Sequence, residues 1–316
     1  MIQQRLLSPA QRLLRPLARV PLPLMDGLTR RRLTRRGVEQ HDVRLTGSVV
    51  HYYYLPRRAG GDNAAPVLLV HGIADSALTW AFVINELAQE HDVYAVDLPG
   101  YGLSSLPPQH ASVSLAEMRD VLVSFIEEVI GRPALVVGNS LGGWLAFAMA
   151  WAAPSRVRGV VPINPGGAPL NGPESWESFR ELLAARDLRA ARTIFQQLAY
   201  RMPPPLIYVG QWGLQESFQR QVVQEFITLI REDEFLRAED VRHVPVPAAL
   251  IWGLADYFLP AGSFKFFRDN LPDAPKLLLE QCGHLPQREC PHAVAQFVRA
   301  FAAQVRVAPH ARSGSV

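Results

Sequence analysis

The stretch VVGNSLGGWLAFAMA, residues 136–150, joins two local patterns through a turn of small residues. Its first residues are apolar and β-prone, whereas the residues from Leu141 onward follow a helical pattern. The turn matches G-x-S-x-G, with Gly138 and Gly142 flanking Ser140. Between a strand and a helix, such a turn holds the serine in strained torsions and exposes its hydroxyl at the positive helix end. A tight packing corner between strand and helix is the other interpretation.

The same alternation of strand and helix extends over most of the chain. DVRLTGSVVHYYYLP, residues 42–56, predicts a β-hairpin that turns near Gly47, and later apolar runs end in Gly or Pro as buried strands do. We therefore predict an α/β fold, with a mostly parallel sheet flanked by helices. Its core is expected in two segments, residues 42–165 and 247–306.

A helical cap is predicted where this alternation stops. The Gly- and Pro-rich PGGAPLNGPE leaves the core, and residues 174–200 and 213–231 have helical patterns on either side of an MPPP break. Strand character returns only at VPAALIWG, so residues 166–246 are predicted to be inserted between core strands. Residues 307–316 are expected to form a loose tail.

The composition excludes several classes of protein. Of 316 residues, 48% are hydrophobic and 19% are charged, which is enough apolar material for a large core. The net charge of +3 is too small to predict a nucleic-acid partner. Two cysteines do not make a disulfide framework. Since the chain has neither a transmembrane run nor the apolar core of a signal peptide, a cytoplasmic location is expected.

An N-terminal arm, residues 1–41, carries an excess of positive charge. Residues 1–36 contain nine arginines and one acid, Asp26. On a helical wheel, residues 2–18 place apolar side chains and arginines on opposite sides, a pattern typical of peripheral contact with an anionic membrane. Pro9 and Pro16 argue against one continuous helix. Packing of the arm on its own domain, with the arginines in solvent, is the alternative.

A serine nucleophile needs a base, and the base needs an acid to orient it. His284 lies in a loop beside Gly283, after the last strand and before the last helix, where core packing explains it poorly. Asp256 follows the strand in ALIWGLAD, whereas the end of the preceding strand reads INPGG and holds no carboxylate. His284 and Asp256 are therefore the predicted base and acid. Asp97 also ends a strand, but it precedes Ser140 and is assigned to a turn network.

Stabilisation of an oxyanion needs backbone donors. One is expected to be the N–H of Leu141, the residue after the serine. The other is expected from the loop in LLVHGIADS, where Gly72 allows close approach of the backbone and Ile73 supplies the N–H. We expect the ring of His71 to brace this loop and not to transfer a proton in the reaction.

Five motifs now occur in a consistent order: LLVHGIADSALTW, VYAVDLPGYGLS, VVGNSLGGW, LIWGLADYFLP and CGHLPQRECP. Over roughly residues 42–305 the chain resembles the α/β-hydrolase superfamily, most closely its bacterial esterases and monoacylglycerol-lipase-like hydrolases with a helical cap. The resemblance implies that Ser140 is the nucleophile, that His284 is base and then acid, and that Asp256 orients the histidine. It also implies Ile73 and Leu141 as oxyanion donors.

The expected activity is hydrolysis of a small-molecule carboxylic ester through an acyl-enzyme, without a cofactor or a metal. Apolar side chains in the predicted cap suit an acyl chain, as in a monoacylglycerol: Trp176, Phe179, Leu182, Leu183, Phe195, Trp212 and Phe218. Hydrolysis of carbon–carbon bonds in ring-cleavage products is the main alternative, although such enzymes tend to have tryptophan where this chain has Leu285. A non-catalytic binding module is a further alternative, but such proteins usually lose a member of the triad.

Overall fold

The computed structural model describes residues 21–59, 64–169 and 173–305. The strands in these ranges form one sheet, in the spatial order β1-β2-β4-β3-β5-β6-β7-β8. They are β1 (Glu39–Leu45), β2 (Ser48–Leu55), β3 (Val67–Val70), β4 (Val93–Val96), β5 (Ala134–Asn139), β6 (Val157–Ile163), β7 (Leu250–Gly253) and β8 (Lys276–Leu279). The pairs β1–β2 and β2–β4 are antiparallel and the others are parallel, so the predicted α/β class with a mostly parallel sheet is confirmed.

Helices cover both faces of this sheet. They are α1 (Pro21–Arg35), α2 (Ile84–Leu87), α3 (Leu115–Phe125), α4 (Leu141–Ala152), α5 (Pro173–Leu183), α6 (Leu188–Leu198), α7 (Pro204–Phe218), α8 (Gln221–Leu229), α9 (Ala238–Arg242), α10 (Ser263–Asn270), α11 (Pro286–Glu289) and α12 (Pro291–Gln304). A π-helical turn, Ile126–Ile130, continues α3, and short 3₁₀ turns occur at Ala77–Trp80 and Glu232–Glu234.

Strand β3 shows why its sequence is apolar throughout. Leu68 and Val70 pack into one buried cluster with α3 and α4, whereas Val67 and Leu69 pack into a second cluster with α2 and α12. Alternate side chains of a strand point to opposite faces, so a strand between two helical layers needs apolar residues at every position. Ser140 and Asp256 follow the carboxyl ends of β5 and β7, whose residues are all buried.

The helices α5–α9 lie between β6 and β7 in the chain and are called the insertion helices below. The predicted helix over 174–200 is in fact two helices, because Ala185 has a positive φ of 43° and Asp187 caps α6 by accepting the N–H of Ala190 at 2.8 Å. The expected start of the next helix at 213 is wrong. Helix α7 begins at Pro204, since a proline in the first turn lacks only an N–H that would be unpaired there anyway.

The N-terminal arm is described only in part. Helix α1 and the first residues of β1 fall within the predicted arm 1–41, so the β-hairpin begins at Glu39 and not at residue 42. The amphipathic pattern over 2–18 and the tail 307–316 lie outside the described residues. Within the described ranges, no helix has both the length and the hydropathy that a membrane crossing requires.

Candidate active site

Ser140 occupies the sharp turn between β5 and α4, with φ 57° and ψ −117°. This torsion is strained for a residue that has a Cβ. Its carbonyl oxygen accepts the N–H of Gly143 and the N–H of Gly166, both at 2.9 Å. These two hydrogen bonds tie the turn to the first turn of α4 and to the segment after β6, and so help to hold the serine in its strained conformation.

The glycines of the motif are required by close packing. A Cβ on Gly138 would lie 2.0 Å from the carbonyl oxygen of Gly142, and a Cβ on Gly142 would lie 2.2 Å from that of Val70. The turn is therefore a tight packing corner as well as a mount for the serine. Ser140 itself is only 6% exposed. The expectation of an openly exposed hydroxyl is wrong, because the serine faces a cavity that the insertion helices cover.

His284 and Asp256 form a buried pair. The Nδ1 atom of His284 lies 2.7 Å from Oδ2 of Asp256, and each side chain is at most 2% exposed. Burial raises the pKa of Asp256, but His284 and the backbone N–H of Leu259 outweigh burial and hold that pKa below its ordinary value. An ionised Asp256 accepts a hydrogen bond from a protonated Nδ1 of His284. In the neutral ring, Nε2 then carries no proton and can act as a base.

Asn164 contributes to the same site, a role that was not predicted. It lies at the end of β6 with φ 40° and is fully buried. Its Nδ2 atom donates to Oδ2 of Asp256 at 2.6 Å, and its Oδ1 atom accepts the N–H of Gly253 at 3.0 Å. The INPGG stretch marks this strand end, but only the folded structure brings its amide to Asp256.

Asn139 connects the serine turn to the histidine loop. Its Nδ2 atom donates to the carbonyl oxygen of His284 at 3.0 Å and to that of Ile163 at 3.1 Å. Its Oδ1 atom accepts from Nε2 of Gln287 at 3.1 Å. The residue before Ser140 thus fixes the backbone of His284, a contact that the sequence motif alone does not reveal.

The two predicted oxyanion donors lie beside the serine. Ile73, Ser140 and Leu141 line the same cavity. A Cβ on Gly72 would come within 3.0 Å of the Cβ of Ser140, so glycine allows this loop to approach. Among the described residues, neither the N–H of Ile73 nor that of Leu141 donates to a protein acceptor. Both N–H groups can therefore donate a hydrogen bond to an oxyanion.

His71 and Asp97 hold the surrounding loops. The Nε2 atom of His71 accepts the N–H of Leu98 at 3.0 Å, and its Nδ1 lies 2.7 Å from the carbonyl oxygen of Gly72. Because Nε2 accepts, Nδ1 is the atom that donates, and the two bonds connect the ring to both neighbouring loops. Asp97 accepts the N–H of Ala77 at 2.7 Å, in a turn network of the kind predicted for it.

An apolar cavity of about 60 Å³, partly open to solvent, lies over the serine. This is room for about two water molecules. The insertion helices and the turn after α8 supply much of its wall: Trp176, Phe179, Leu183, Phe226, Ile230 and Phe235. Of the other apolar residues predicted for this wall, Phe218 is buried in the core and Phe195 packs against Gly210 within the insertion. Leu182 packs against the core and Trp212 is buried, and neither lines the cavity.

In the described part of the chain, no group of three or more His, Cys, Asp or Glu side chains is arranged to hold a metal ion. The residues with a hydroxyl side chain that line the cavity are Ser140 and Ser263. The arrangement suits nucleophilic attack on a carbonyl carbon.

Comparison with known proteins places this site in a family. The profile of the alpha/beta hydrolase family matches residues 67–297. A pimeloyl-[acyl-carrier protein] methyl ester esterase of Nitrosomonas europaea is 31% identical over 253 residues, which cover 76% of this chain and 95% of that protein. The chain belongs to the α/β hydrolase family. Together these matches support a serine ester hydrolase of esterase or lipase type.

Other relatives are longer or less similar. The dihydrolipoyllysine-residue acetyltransferase component of the acetoin cleaving system of Pseudomonas putida is 28% identical over 255 residues, which cover 77% of this chain and 64% of that protein. A match to the corresponding component of Cupriavidus necator spans 29% of that protein. This chain therefore spans less than two thirds of the length of either component.

Solved structures show the same fold. A membrane phospholipase A has a TM-score of 0.72 and 26% identity, and the match covers 94% of this chain and 97% of the other. A meta-cleavage product hydrolase has a TM-score of 0.68 and 23% identity, with 84% of this chain and 98% of the other covered. The likeness to the second structure concerns the fold alone.

Proposed function

We propose that this protein hydrolyses carboxylic esters with Ser140 as nucleophile, His284 as base and then acid, and Asp256 as the residue that orients the histidine. One observation carries the proposal. The residue before the strained Ser140, Asn139, donates at 3.0 Å to the carbonyl oxygen of His284, whose Nδ1 lies 2.7 Å from the buried Asp256, and Ser140 itself lines an apolar cavity. The N–H groups of Ile73 and Leu141 are the proposed oxyanion donors.

The reaction follows from the arrangement of these groups. His284 Nε2 takes the proton of the Ser140 hydroxyl as its oxygen attacks the ester carbonyl. The N–H groups of Ile73 and Leu141 stabilise the oxyanion, and the alcohol leaves with the proton from His284. Water, activated by the same histidine, then hydrolyses the acyl-enzyme and releases the acid.

The proposed substrate is an ester with an apolar acyl chain, of the kind found in monoacylglycerols. The cavity wall consists mainly of aromatic and aliphatic side chains, which favour a hydrocarbon and provide no charged partner for an acid group. Residues 166–246 act as the cap over the acyl chain.

A series of p-nitrophenyl esters from acetate to palmitate tests this assignment. We expect hydrolysis with an optimum at short or medium chains, set by the size of the cavity. Phe179→Ala, which enlarges the cavity, should move the optimum to longer chains, as measured by kcat/KM across the series.

The matched control is Phe195→Ala, because Phe195 lies in the insertion but not in the cavity wall. Its optimum should stay at the wild-type chain length. A folded wild-type protein that cleaved no ester of any length would contradict the proposal and favour carbon–carbon bond hydrolysis.

Peripheral contact with a membrane is the second proposal, and it concerns the N-terminal arm. On α1 the side chains of Leu24, Met25 and Leu28 are each more than 50% exposed, and basic residues follow them on the exposed side. Apolar side chains beside arginines suit an anionic lipid surface. The solved neighbour that is a membrane phospholipase A is in keeping with such contact.

A further inference from the structure

Glu289, the last residue of α11, places its carboxylate against the backbone on both sides of His284. Its Oε1 atom accepts the N–H of Gly283 at 3.0 Å. The N–H of Leu285 also acts on the carboxylate and lowers its pKa. The bond to Gly283, the residue before the histidine, restricts how the loop can rotate, and so restricts the direction of the imidazole.

The same carboxylate also holds the insertion. Its Oε2 atom accepts the N–H of Tyr200, two residues beyond α6, at 2.9 Å. The N–H of His284 donates to the carbonyl oxygen of Leu198, the last residue of α6, also at 2.9 Å. A Cβ on Gly283 would lie 2.8 Å from the backbone nitrogen of Tyr200, so the two segments are in close contact. The end of α6 therefore rests on the histidine loop.

The surroundings of Glu289 indicate a role in holding the backbone and not in ion pairing. Among the described residues, the carboxylate accepts the backbone N–H groups of Gly283 and Tyr200, and no Lys, Arg or His side chain forms an ion pair with it. Burial raises the pKa of Glu289, and backbone N–H groups only partly offset this effect. A half-buried carboxylate is costly, and its two hydrogen bonds to the backbone offset part of that cost.

We propose that Glu289 is a positioning residue that couples the docking of the insertion helices to the alignment of His284. The proposal rests on the proposed esterase function. With the segment after α6 docked, Glu289 fixes the loop that carries His284. When that segment moves away, the loop loses the Tyr200 and Leu198 contacts and the base is less well aligned.

Glu289→Gln and Glu289→Ala test this role. Glutamine keeps one accepting oxygen but places an NH₂ group against a backbone N–H, whereas alanine removes both bonds. Misplacement of the base by a fraction of an ångström should lower kcat roughly 10- to 100-fold in the alanine variant, with a smaller loss in the glutamine variant. The KM for p-nitrophenyl butyrate should change little, because Glu289 does not line the cavity.

The control is Glu117→Gln, since Glu117 also accepts a backbone N–H, that of Ser114 at 2.7 Å, but at the start of α3 outside the site. Its kcat should equal that of the wild type at a similar melting temperature. A second readout is the rate at which a fluorophosphonate labels Ser140, which does not depend on the choice of ester. We expect slower labelling in both Glu289 variants.

Two outcomes separate the two proposals. A wild-type protein that reacts with neither the ester nor the fluorophosphonate contradicts the serine hydrolase function. A wild type that reacts, with folded Glu289 variants that match it in kcat and in labelling rate, overturns the positioning role alone. If the alanine variant does not fold, the glutamine variant decides between these results.

Discussion

At Asn164 the chain supplies an amide, and not a carboxylate, at the end of β6. The carboxylate comes from the next strand, where Asp256 accepts the amide N–H at 2.6 Å and backbone N–H groups from Phe258 and Leu259. Every lone pair of Asp256 that does not face His284 thus has a fixed donor. The acid is held in one direction, which fixes the tautomer and the plane of the histidine ring.

Removal of this amide should weaken the proposed catalysis without abolishing it. Asn164→Ala deletes one hydrogen bond to a charged group, so kcat/KM should fall roughly 10- to 100-fold. Asp256→Asn should cost more, several orders of magnitude, because it removes the charge that fixes the histidine tautomer. Initial rates with p-nitrophenyl butyrate measure both effects.

Asn164→Ala should also change how the free energy of unfolding depends on pH. Burial raises the pKa of Asp256, but His284 and the N–H donors, among them Asn164, bring it below its ordinary value. A lowered pKa contributes stability above about pH 4 that is lost as the pH falls. The deficit of Asn164→Ala in free energy of unfolding should therefore be larger at pH 7 than near pH 3.5. An equal deficit at both values, or an unchanged kcat/KM, would contradict the role assigned to Asn164. Asn85→Ala, in α2, is the control.

Among the secondary-structure elements, β5 and α4 follow directly from their sequence. The apolar run of β5, the glycines of the turn and the helical pattern of α4 are all local sequence signals. The close packing of Gly138 against Gly142 explains why the turn needs glycine. The start of α7 was missed because a run of prolines indicates a break, although Pro204 and Pro205 occupy the first turn of the helix. Elements whose ends depend on proline position are therefore harder to place from sequence.

Helix α1 is the element on which the membrane proposal depends. Combined replacement of Leu24, Met25 and Leu28 by alanine should reduce cosedimentation of the full chain with phosphatidylglycerol vesicles, because these side chains would enter the interface. Added salt should also weaken binding, since arginines supply the electrostatic part. Binding is measured as the fraction of protein that sediments with the vesicles.

The matched control for this experiment is Leu229→Ala. Leu229 lies in α8, away from α1 in the chain, and its side chain is 47% exposed. It should bind vesicles as the wild type does. Equal binding by wild type and triple variant would show that the exposed side of α1 is not the contact surface.

For the molecule as a whole, the sequence predicts what is local and misses what is long-range. The sequence predicts the α/β class, the turn at Ser140 and the positions of Asp256 and His284, because strand ends carry short, ordered motifs. It does not predict the contacts of Asn139 and Glu289, since each of these side chains bonds to a backbone group that is distant in the chain. The burial of Ser140, which is only 6% exposed, was not predicted either.

The central claim is that Ser140 is the nucleophile, and one comparison tests it most directly. Wild-type protein and Ser140→Ala are assayed for hydrolysis of p-nitrophenyl butyrate, with circular dichroism as the check on folding. The account predicts turnover by the wild type and, from an equally folded Ser140→Ala protein, a loss of several orders of magnitude. Turnover retained by the folded variant would contradict the account.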